Sequence, residues 1–275
     1  MDTRPGDAGP RTLAGSAVIR FKSLGSGSSG NATVVQAREG GALTHVLVDC
    51  GLGIRELTRR LGAAGLGCDR IDAIFITHEH ADHIGCARPL ALRERIPVYM
   101  SEGTHAALGR PDFGGLLRIA ADGQPFEVGG LQLRPFTVPH DAREPLQLTC
   151  TDGAARLGLL TDLGHVSTHV QQELADCATL LLECNHDEAM LARGPYPAFL
   201  KQRVGGDWGH LANSAAAALA RELQAAGRLR RVLAAHLSEQ NNRPELARAA
   251  LAQALGEGAE IHVADGASGC DWLDA

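Results

Sequence analysis

The stretch AIFITHEHADHIGCA, residues 73–87, places an apolar run directly before a dense group of imidazoles and carboxylates. The apolar part has the length and composition of a buried strand. It ends at His78, and His80, Asp82 and His83 follow within the next five residues. Side chains at a strand end stand on a rigid scaffold, where functional sites are commonly built. The stretch therefore predicts a strand that leads into a metal site, rather than a solvated polar turn.

The spacing within this cluster predicts two different metal ions. In an extended segment His78 and His80 point to the same side, so both are available to one ion. Asp82 and His83 come at the start of the next predicted helix and are available to a second ion. Zinc accepts this mixture of imidazole and carboxylate, and the absence of cysteine favours an open catalytic site over a closed structural one.

Further apolar strands also end in potential metal ligands, namely His140, Asp162 and His236. Together with the first cluster they complete two sets of three ligands, with Asp162 as a bridge. Two-metal sites of this kind are typical of hydrolases. The predicted sets are His78, His80 and His140 for one metal, and Asp82, His83 and His236 for the other.

The remaining sequence predicts one mixed α/β domain over residues 16–275, after a disordered tail at residues 1–15. Strands are predicted at 17–24, 45–50, 71–77, 96–100, 131–138, 146–150, 155–161, 178–184, 230–235 and 260–264, and helices at 53–65, 84–95, 166–176, 213–227 and 242–256.

Composition narrows the class of protein. The formal net charge of −6 over 275 residues argues against a broad basic face that binds nucleic acid, but it does not exclude a local basic groove. Seven cysteines without a C-x-x-C motif favour the reducing cytoplasm over a disulfide framework. The sequence shows no secretion signal and no apolar run of membrane-spanning length.

Two polar segments are candidates for substrate contact. GSGSSGN, residues 25–31, can cradle a phosphate through backbone N–H groups and hydroxyls, which makes Ser28, Ser29 and Asn31 candidates; a flexible hairpin loop is the alternative. It is not a P-loop, because no G-K-[ST] follows.

The second polar segment is GHLANS, residues 209–214, before a predicted helix. His210 is a candidate substrate contact and proton donor to the leaving oxygen. Asn213 is a candidate substrate contact at a helix N-terminus, which favours anions. An N-capping turn with Asn213 as the cap is the alternative, and both interpretations are compatible. Asn185 and His186 are candidates for supporting the ligands, and Asp187 for capping the next helix.

The metal motifs resemble those of the metallo-β-lactamase fold superfamily. The matching residues are Asp49 in LVDCG, residues 78–83 in THEHADH, His140 in TVPHDA, Asp162 in LLTDLG and His236 in AAHLS. The resemblance covers about residues 18–265. It implies an αββα four-layer sandwich of two mixed sheets with outer helices, and a structural role for Asp49 in bonding the loop that carries the ligands.

A closer resemblance is to the WalJ/YycJ-like branch of that superfamily. It is carried by residues 23–35, 182–191, 208–217 and 234–247, with one departure at Ala212, where the branch pattern has serine. Members of the branch are described as exonucleases or phosphodiesterases and are related to the enzymes that process transfer-RNA 3′ ends. The resemblance implies a DNA or RNA substrate.

The sequence as a whole predicts a dinuclear metal-dependent hydrolase that cleaves phosphodiester bonds by attack of a metal-bound hydroxide. The predicted metal is zinc, with manganese as the alternative, and Asp82 is predicted both to bind metal and to orient the hydroxide. The substrate is nucleic acid or a nucleotide diester, and no membrane is involved. The alternatives are a lactone or thioester hydrolase, a diiron oxidoreductase, in which glutamate usually replaces His80, and a metal-binding module without catalysis.

Overall fold

A computed structural model describes residues 18–275, and the predicted disordered tail at residues 1–15 lies outside them. The described residues form fourteen strands and nine α-helices. The strands are β1 (Val18–Gly25), β2 (Ala32–Glu39), β3 (Ala42–Val48), β4 (Ala73–Phe75), β5 (Val98–Met100), β6 (Leu117–Ile119), β7 (Phe126–Val128), β8 (Leu131–Thr137), β9 (Leu146–Thr151), β10 (Arg156–Leu160), β11 (Thr179–Glu183), β12 (Arg231–Ala235), β13 (Glu260–Val263) and β14 (Leu273–Asp274). The helices are α1 (Ile54–Ala63), α2 (Ala81–Ile84), α3 (Ala87–Glu94), α4 (Glu102–Ala107), α5 (Thr168–Leu174), α6 (Glu188–Arg193), α7 (Ala198–Val204), α8 (Asn213–Ala225) and α9 (Pro244–Leu255).

The strands form two mixed sheets of seven strands each. The first has the order β14-β1-β2-β3-β4-β5-β6, and the second has the order β13-β12-β11-β10-β9-β8-β7. In the first sheet β14, β1, β2 and β3 pair antiparallel and β3 to β6 pair parallel. The second sheet repeats this plan, because β7 to β10 pair antiparallel and β10 to β13 pair parallel.

The inner faces of the two sheets pack on each other. Phe21 and Phe75 of the first sheet share a buried cluster with Leu133, Leu148 and Leu159 of the second. Burial of a leucine or phenylalanine side chain contributes about 1.5–3 kcal/mol. This cluster therefore holds the two sheets together.

The outer faces of both sheets are covered by helices. Leu57 of α1 and Leu90 of α3 are buried in a cluster with side chains of the first sheet. Leu219 of α8 and Leu251 of α9 are buried in a cluster with side chains of the second sheet. The layers run helix, sheet, sheet, helix, which confirms the αββα sandwich.

Strand direction explains why residues distant in the sequence meet. Strand β9 is antiparallel to both β8 and β10, while β10, β11 and β12 are parallel to one another. The carboxyl ends of β8, β10, β11 and β12 therefore lie at the same edge of the second sheet. In the first sheet β3 and β4 are also parallel, so their carboxyl ends share an edge.

Every predicted strand and helix overlaps an observed one, but the sequence analysis missed several elements. It missed β2 because the run follows the Gly/Ser loop without a break and ends in charged residues. The strands β6, β7 and β14 and the helices α4, α6 and α7 are too short to show a clear period. The helix predicted at 84–95 is divided into α2 and α3. The single domain at residues 16–275 stays a prediction. Among the described residues, no helix is both long and apolar enough to cross a membrane.

Candidate metal centre and active site

Several candidate residues stand just after strands in a backbone conformation that is unusual for residues other than glycine. Asp49, Asp162 and His236 follow β3, β10 and β12 and have φ values of 62°, 53° and 54°. Such strain costs on the order of 1–3 kcal/mol per residue and persists where the surrounding structure enforces it. Because it interrupts the alternation of side chains along a strand, a period of two does not predict where these side chains point.

The first predicted ligand set comes together in the structure. The ligand atoms of His78, His80 and His140 lie within 4.8 Å of one another. His80 Nδ1 lies 3.0 Å from His78 Nε2 and 3.4 Å from His140 Nε2. Burial lowers the pKa of His78 and of His140, which favours the neutral ring that a metal needs.

The second predicted set also comes together, on α2 and at the end of β12. The ligand atoms of Asp82, His83 and His236 lie within 4.8 Å of one another. Asp82 Oδ2 lies 3.6 Å from His83 Nε2 and 3.8 Å from His236 Nε2. Both histidines are buried, and Asp82 is partly exposed.

Asp162 lies between the two sets. Its Oδ2 is 3.1 Å from His83 Nε2, and its Oδ1 is 4.0 Å from His140 Nε2 and 3.5 Å from His236 Nδ1. Asp162 Oδ2 and His236 Nε2 are buried without a hydrogen-bond partner. Such orphaned polar atoms are rare in folded proteins, and coordination of a cation would account for both. The donor set and these two atoms therefore fit divalent metal ions.

The buried histidines of both sets share one hydrogen-bond pattern. Each ring has a partner at Nδ1, so that Nε2 is the nitrogen that faces the other candidate ligands, as in metal-binding histidines. The partners are Thr77 Oγ1 at 3.0 Å for His78, Asp49 Oδ2 at 2.8 Å for His83, Gly209 O at 3.0 Å for His140 and Glu183 Oε1 at 2.8 Å for His236.

The centre also concentrates negative charge. Burial by itself would lower the pKa of His236, but the carboxylates of Asp162, Asp82 and Glu183 outweigh it and raise the pKa to about 10. Without a cation, this raised pKa favours the protonated ring of His236 beside the carboxylates. A divalent cation can replace that proton, because metal binding and proton release are linked.

Asp49 holds the loop that carries the first cluster. Its Oδ1 accepts hydrogen bonds from Thr77 N at 2.9 Å and Thr77 Oγ1 at 3.0 Å, and its Oδ2 accepts one from His83 Nδ1 at 2.8 Å. One carboxylate therefore positions the residue before His78 and orients the ring of His83. This is the arrangement that the family resemblance implied for Asp49.

Glu183 is a candidate functional residue that the sequence patterns did not predict. It is fully buried at the end of β11, and its Oε1 accepts hydrogen bonds from His210 Nδ1 at 2.9 Å and His236 Nδ1 at 2.8 Å. Its Oε2 accepts from Leu163 N at 3.1 Å and Leu211 N at 3.0 Å. Burial raises the pKa of Glu183, but the charge of His210 and the hydrogen bonds from His210 and His236 bring that pKa down to about 2. The available signal was a glutamate that ends an apolar strand, as His78 and Asp162 do.

His210 lies at the mouth of the same centre. Besides its bond to Glu183, its Nδ1 is 3.4 Å from Asp162 Oδ1. It lines an open cleft of about 350 Å³ together with His80, Asp82, Asp162 and Arg203. The structure therefore brings the predicted proton donor to the predicted metal ligands.

The Gly/Ser loop divides into an exposed tip and a buried base. Ser28 and Ser29 are exposed, whereas Asn31 is buried. Asn31 Oδ1 accepts from Gly27 N at 2.8 Å, and Asn31 Nδ2 lies 3.0 Å from His83 Nε2. Asn31 thus borders the second ligand set, and only the two serines are free to meet a substrate phosphate from solvent.

The structure corrects the interpretation of Asn213. Ala212 is the N-cap of α8, and Asn213 is the first residue of the helix. The buried side-chain amides of Asn213 and Asn242 exchange two hydrogen bonds of 2.9 Å. The amide oxygen and the amide nitrogen of Asn213 are therefore both engaged, and the side chain does not cap the helix or reach an exposed contact. The N-cap prediction is wrong because the side chain pairs with a residue from a distant loop.

The candidates in the neighbouring ECNHD segment form hydrogen bonds that stabilise the backbone near the site. Asn185 Nδ2 donates to His236 O at 3.0 Å and so holds the end of β12. Asp187 caps α6, since its Oδ1 accepts from Met190 N at 2.8 Å, and this prediction is confirmed. His186 is buried and accepts a backbone hydrogen bond from Asn213 through its carbonyl.

The substitution Asp49→Asn should weaken both the fold and metal binding. Asparagine tolerates the left-handed backbone but replaces one acceptor oxygen by a donor. Thr77 N or His83 Nδ1 then loses its acceptor, at a cost of about 1–3 kcal/mol in the free energy of unfolding. Metal affinity should fall about 10–100-fold, as for other partners of metal-binding histidines. Urea unfolding and metal titration measure both effects. The exposed Asp69→Asn is the control, and equal values for the two variants would contradict the role of Asp49.

The chain is similar to known proteins along most of its length. Residues 44–237 match the family model described as beta-lactamase superfamily domain. The chain is 34% identical to the exodeoxyribonuclease YycJ of Bacillus anthracis over 259 residues, which cover 90% of this chain and 96% of the relative. It is also 34% identical to the exodeoxyribonuclease WalJ of Streptococcus pneumoniae serotype 2 over 258 residues, which cover 90% of this chain and 94% of the relative.

The fold has a counterpart among solved structures. The metallo-beta-lactamase fold protein YhfI from Bacillus subtilis aligns with a TM-score of 0.72 at 18% identity, over 94% of this chain and 100% of that one. At this identity the match speaks for the fold alone. The αββα sandwich, the family model and the near full-length relatives agree: the chain belongs to the β-lactamase superfamily domain family, in the group that includes YycJ and WalJ.

Proposed function

We propose that this protein is a metal-dependent nuclease that hydrolyses phosphodiester bonds in DNA as an exonuclease, with RNA as the other candidate substrate. The observation that carries the proposal is the arrangement around Asp162, a buried carboxylate that lies within 4.0 Å of histidines of both candidate ligand sets beside an open cleft. The names of the two near full-length relatives, both exodeoxyribonucleases, support DNA as the substrate.

Two divalent ions, with zinc as the proposed metal and manganese as the alternative, would be held by the two ligand sets, with Asp162 available to both. Bound divalent metals at such clusters supply a Lewis acid for a phosphoryl oxygen and hydroxide at neutral pH. The donor atoms are imidazole nitrogens and carboxylate oxygens, which suits zinc. Asp82 is the partly exposed carboxylate of the second set, in a position to orient the attacking water.

His210 is the residue best placed to protonate the leaving oxygen. Glu183 holds its Nδ1 at 2.9 Å, so Nε2 is the ring nitrogen available to a substrate in the cleft. A positioned acid of this kind contributes about 10²–10⁴-fold to the rate. Burial opposes the charged form of His210, yet the neighbouring carboxylates of Glu183 and Asp162 raise its pKa.

We also propose the cytoplasm as the compartment. All seven cysteines are free, and six of them are buried. Free thiols in this number are typical of a reducing environment.

The proposal is tested with the purified protein, its metal content and a set of diesters. We expect about two divalent metals per chain, cleavage of bis-p-nitrophenyl phosphate, and stepwise shortening of DNA labelled at one end. Labels at the 5′ or the 3′ end distinguish the two directions of cleavage. Single- and double-stranded DNA and RNA, compared side by side, identify the preferred substrate. His80→Ala should lose metal and activity, whereas His105→Ala, a histidine outside both ligand sets, should retain both.

Two results would contradict the proposal. Bound metal with every phosphodiester left intact would point to a lactone or thioester hydrolase, which the same panel then tests with those substrates. Bound iron with redox activity would point to an oxidoreductase.

A further inference from the structure

The rim of the cleft carries the most exposed large hydrophobic side chains among the described residues. Phe199 is 73% exposed and Trp208 is 62% exposed. Phe199 belongs to α7, whose residues Leu200, Arg203 and Val204 line the cleft. Phe199 lies four positions before Arg203, so these two side chains are neighbours on the helix surface. An exposed aromatic ring thus stands next to the mouth of the cleft.

Trp208 is held at the same mouth by a rigid backbone. Its carbonyl oxygen accepts from Asp141 N at 3.0 Å, and the carbonyl of the next residue, Gly209, accepts from His140 Nδ1 at 3.0 Å. The segment also packs so closely on Gly164 that a Cβ there would overlap the backbone of Asp207 and Trp208. The indole is therefore presented to solvent from a segment that is bonded to a candidate metal ligand.

A cationic side chain, Arg203, lines the same cleft. Arg203 Nε donates to Asp141 Oδ2 at 2.7 Å, and the Arg203 side chain is 62% exposed. Asp141 in turn lies 3.4 Å from His140 Nε2, so the ion pair keeps the guanidinium at the cleft. Arginine suits bidentate contact with a phosphate, and a local cation matters in a chain whose net charge is −6.

We propose that Phe199, Arg203 and Trp208, together called the aromatic rim, bind unpaired nucleotides next to the bond that is cleaved. Bases stack on the two aromatic side chains, and Arg203 contacts the adjacent backbone phosphate. Aromatic platforms beside basic groups are the common way in which proteins hold single strands. The inference rests on the proposed nuclease function and adds the form of the substrate: a strand end that is single-stranded or frayed.

The continuity of the rim with the cleft favours a nucleic acid over a protein partner as its occupant. The residues that follow the two aromatic residues, Leu200 and Gly209, line the cleft, so the rim borders a strand whose scissile phosphate lies in the cleft. Arg203 supplies the charge that a phosphate backbone requires.

The test compares Phe199→Ala and Trp208→Ala with Ile119→Ala, an exposed apolar residue on β6 of the first sheet. Full-length protein with its metals is assayed on a single-stranded DNA oligonucleotide, and on the same oligonucleotide with abasic sites at the terminal nucleotides. Each rim variant should raise KM for the intact oligonucleotide about tenfold. On the abasic oligonucleotide the difference should shrink to within about twofold, since no base is left to stack. Ile119→Ala should behave as wild type on both.

Binding gives a second readout that does not depend on turnover. The chain has two tryptophans, Trp208 and Trp272, and the latter is covered by the guanidinium of Arg20 at 4.3 Å. An oligonucleotide with non-hydrolysable end linkages should quench the fluorescence of wild-type protein, and Trp208→Ala should remove most of that quenching. Arg203→Gln should reduce the slope of the logarithm of the binding constant against the logarithm of the salt concentration by about 1, as expected for the loss of one phosphate contact.

The possible failures are distinguishable. If wild-type protein cleaves the oligonucleotide and the rim variants keep its KM, the aromatic rim does not bind the substrate, while the nuclease function stands. If the wild type is a dimer that Trp208→Ala dissociates without a change in KM, the rim is a self-association surface and the inference is overturned. If the wild type neither cleaves nor binds any oligonucleotide, the nuclease proposal fails, and the inference fails with it.

Discussion

Asp162→Ala should lower kcat/KM for phosphodiester cleavage by at least about a thousandfold, which is about 4 kcal/mol of transition-state stabilisation. The reason is the position of this carboxylate, whose two oxygens face histidines of both ligand sets at 3.1 to 4.0 Å. In the proposed centre, its removal would take a shared ligand from both metals at once. The substitution also removes the carboxylate oxygen that lies 3.1 Å from Nε2 of the buried His83 ring.

Metal analysis and kinetics on one preparation measure the effect. We expect Asp162→Ala to contain less than the wild-type amount of metal after dialysis, and we expect added zinc not to restore activity. The control is Asp176→Ala, an exposed carboxylate after α5 whose side chain is 67% exposed. If Asp162→Ala retained both metals and wild-type kcat/KM, the shared role of this residue would be wrong.

Glu183→Gln should have the second-largest effect, a loss of kcat on DNA on the order of 10²–10⁴-fold. The carboxylate accepts from His210 and His236 through one oxygen and from two backbone N–H groups through the other. Glutamine keeps the shape of the side chain but replaces one carboxylate oxygen by an NH2 group. Either the two histidine N–H groups or the two backbone N–H groups then face a donor instead of an acceptor. The free energy of unfolding should fall by about 1–3 kcal/mol.

The leaving group separates the catalytic effect of Glu183 from a merely structural one. p-Nitrophenolate leaves without protonation, whereas a DNA alkoxide needs an acid. If Glu183 positions His210 as that acid, Glu183→Gln and His210→Ala should lose much more activity on DNA than on bis-p-nitrophenyl phosphate. Equal losses on both substrates would show that Glu183 acts only through the metal ligand His236. Glu188→Gln, at the exposed start of α6, is the matched control.

Local sequence was sufficient for the parts of the site that lie close together in the chain. His78 and His80 share a side because they are two residues apart in an extended segment, and Asp82 and His83 lie on the short helix α2. These relations depend on backbone geometry over a few residues, which sequence spacing reports directly. The order of the candidate ligands at the strand ends could likewise be predicted from the sequence, because each of these strands is a continuous apolar run.

Other parts of the site were readable only by family resemblance or not at all. The pairing of Asp49 with His83 joins residues 34 positions apart, and the resemblance implied only that Asp49 bonds the loop that carries the ligands. The pairing of Glu183 with His236 joins residues 53 positions apart, and nothing in the spacing indicated it. A buried glutamate at the end of an apolar strand is ambiguous until the histidines that face it are known.

The sequence patterns by themselves therefore determined the candidate ligand types, their order and the mixed α/β class, since these follow from local spacing and from the apolar periodicity of strands and helices, and the sandwich was expected from the family resemblance. Only the tertiary structure decided that Asp162 lies between both sets, that Glu183 holds two histidines and that Asn213 pairs with Asn242. It also decided that Phe199 and Trp208 stay in solvent at the cleft, where an aromatic residue would otherwise be expected in the core. The physical reason is that the packing of the sheets brings these distant residues into contact. The left-handed backbone at Asp49, Asp162 and His236 also directs their side chains, and no local sequence pattern encodes either effect.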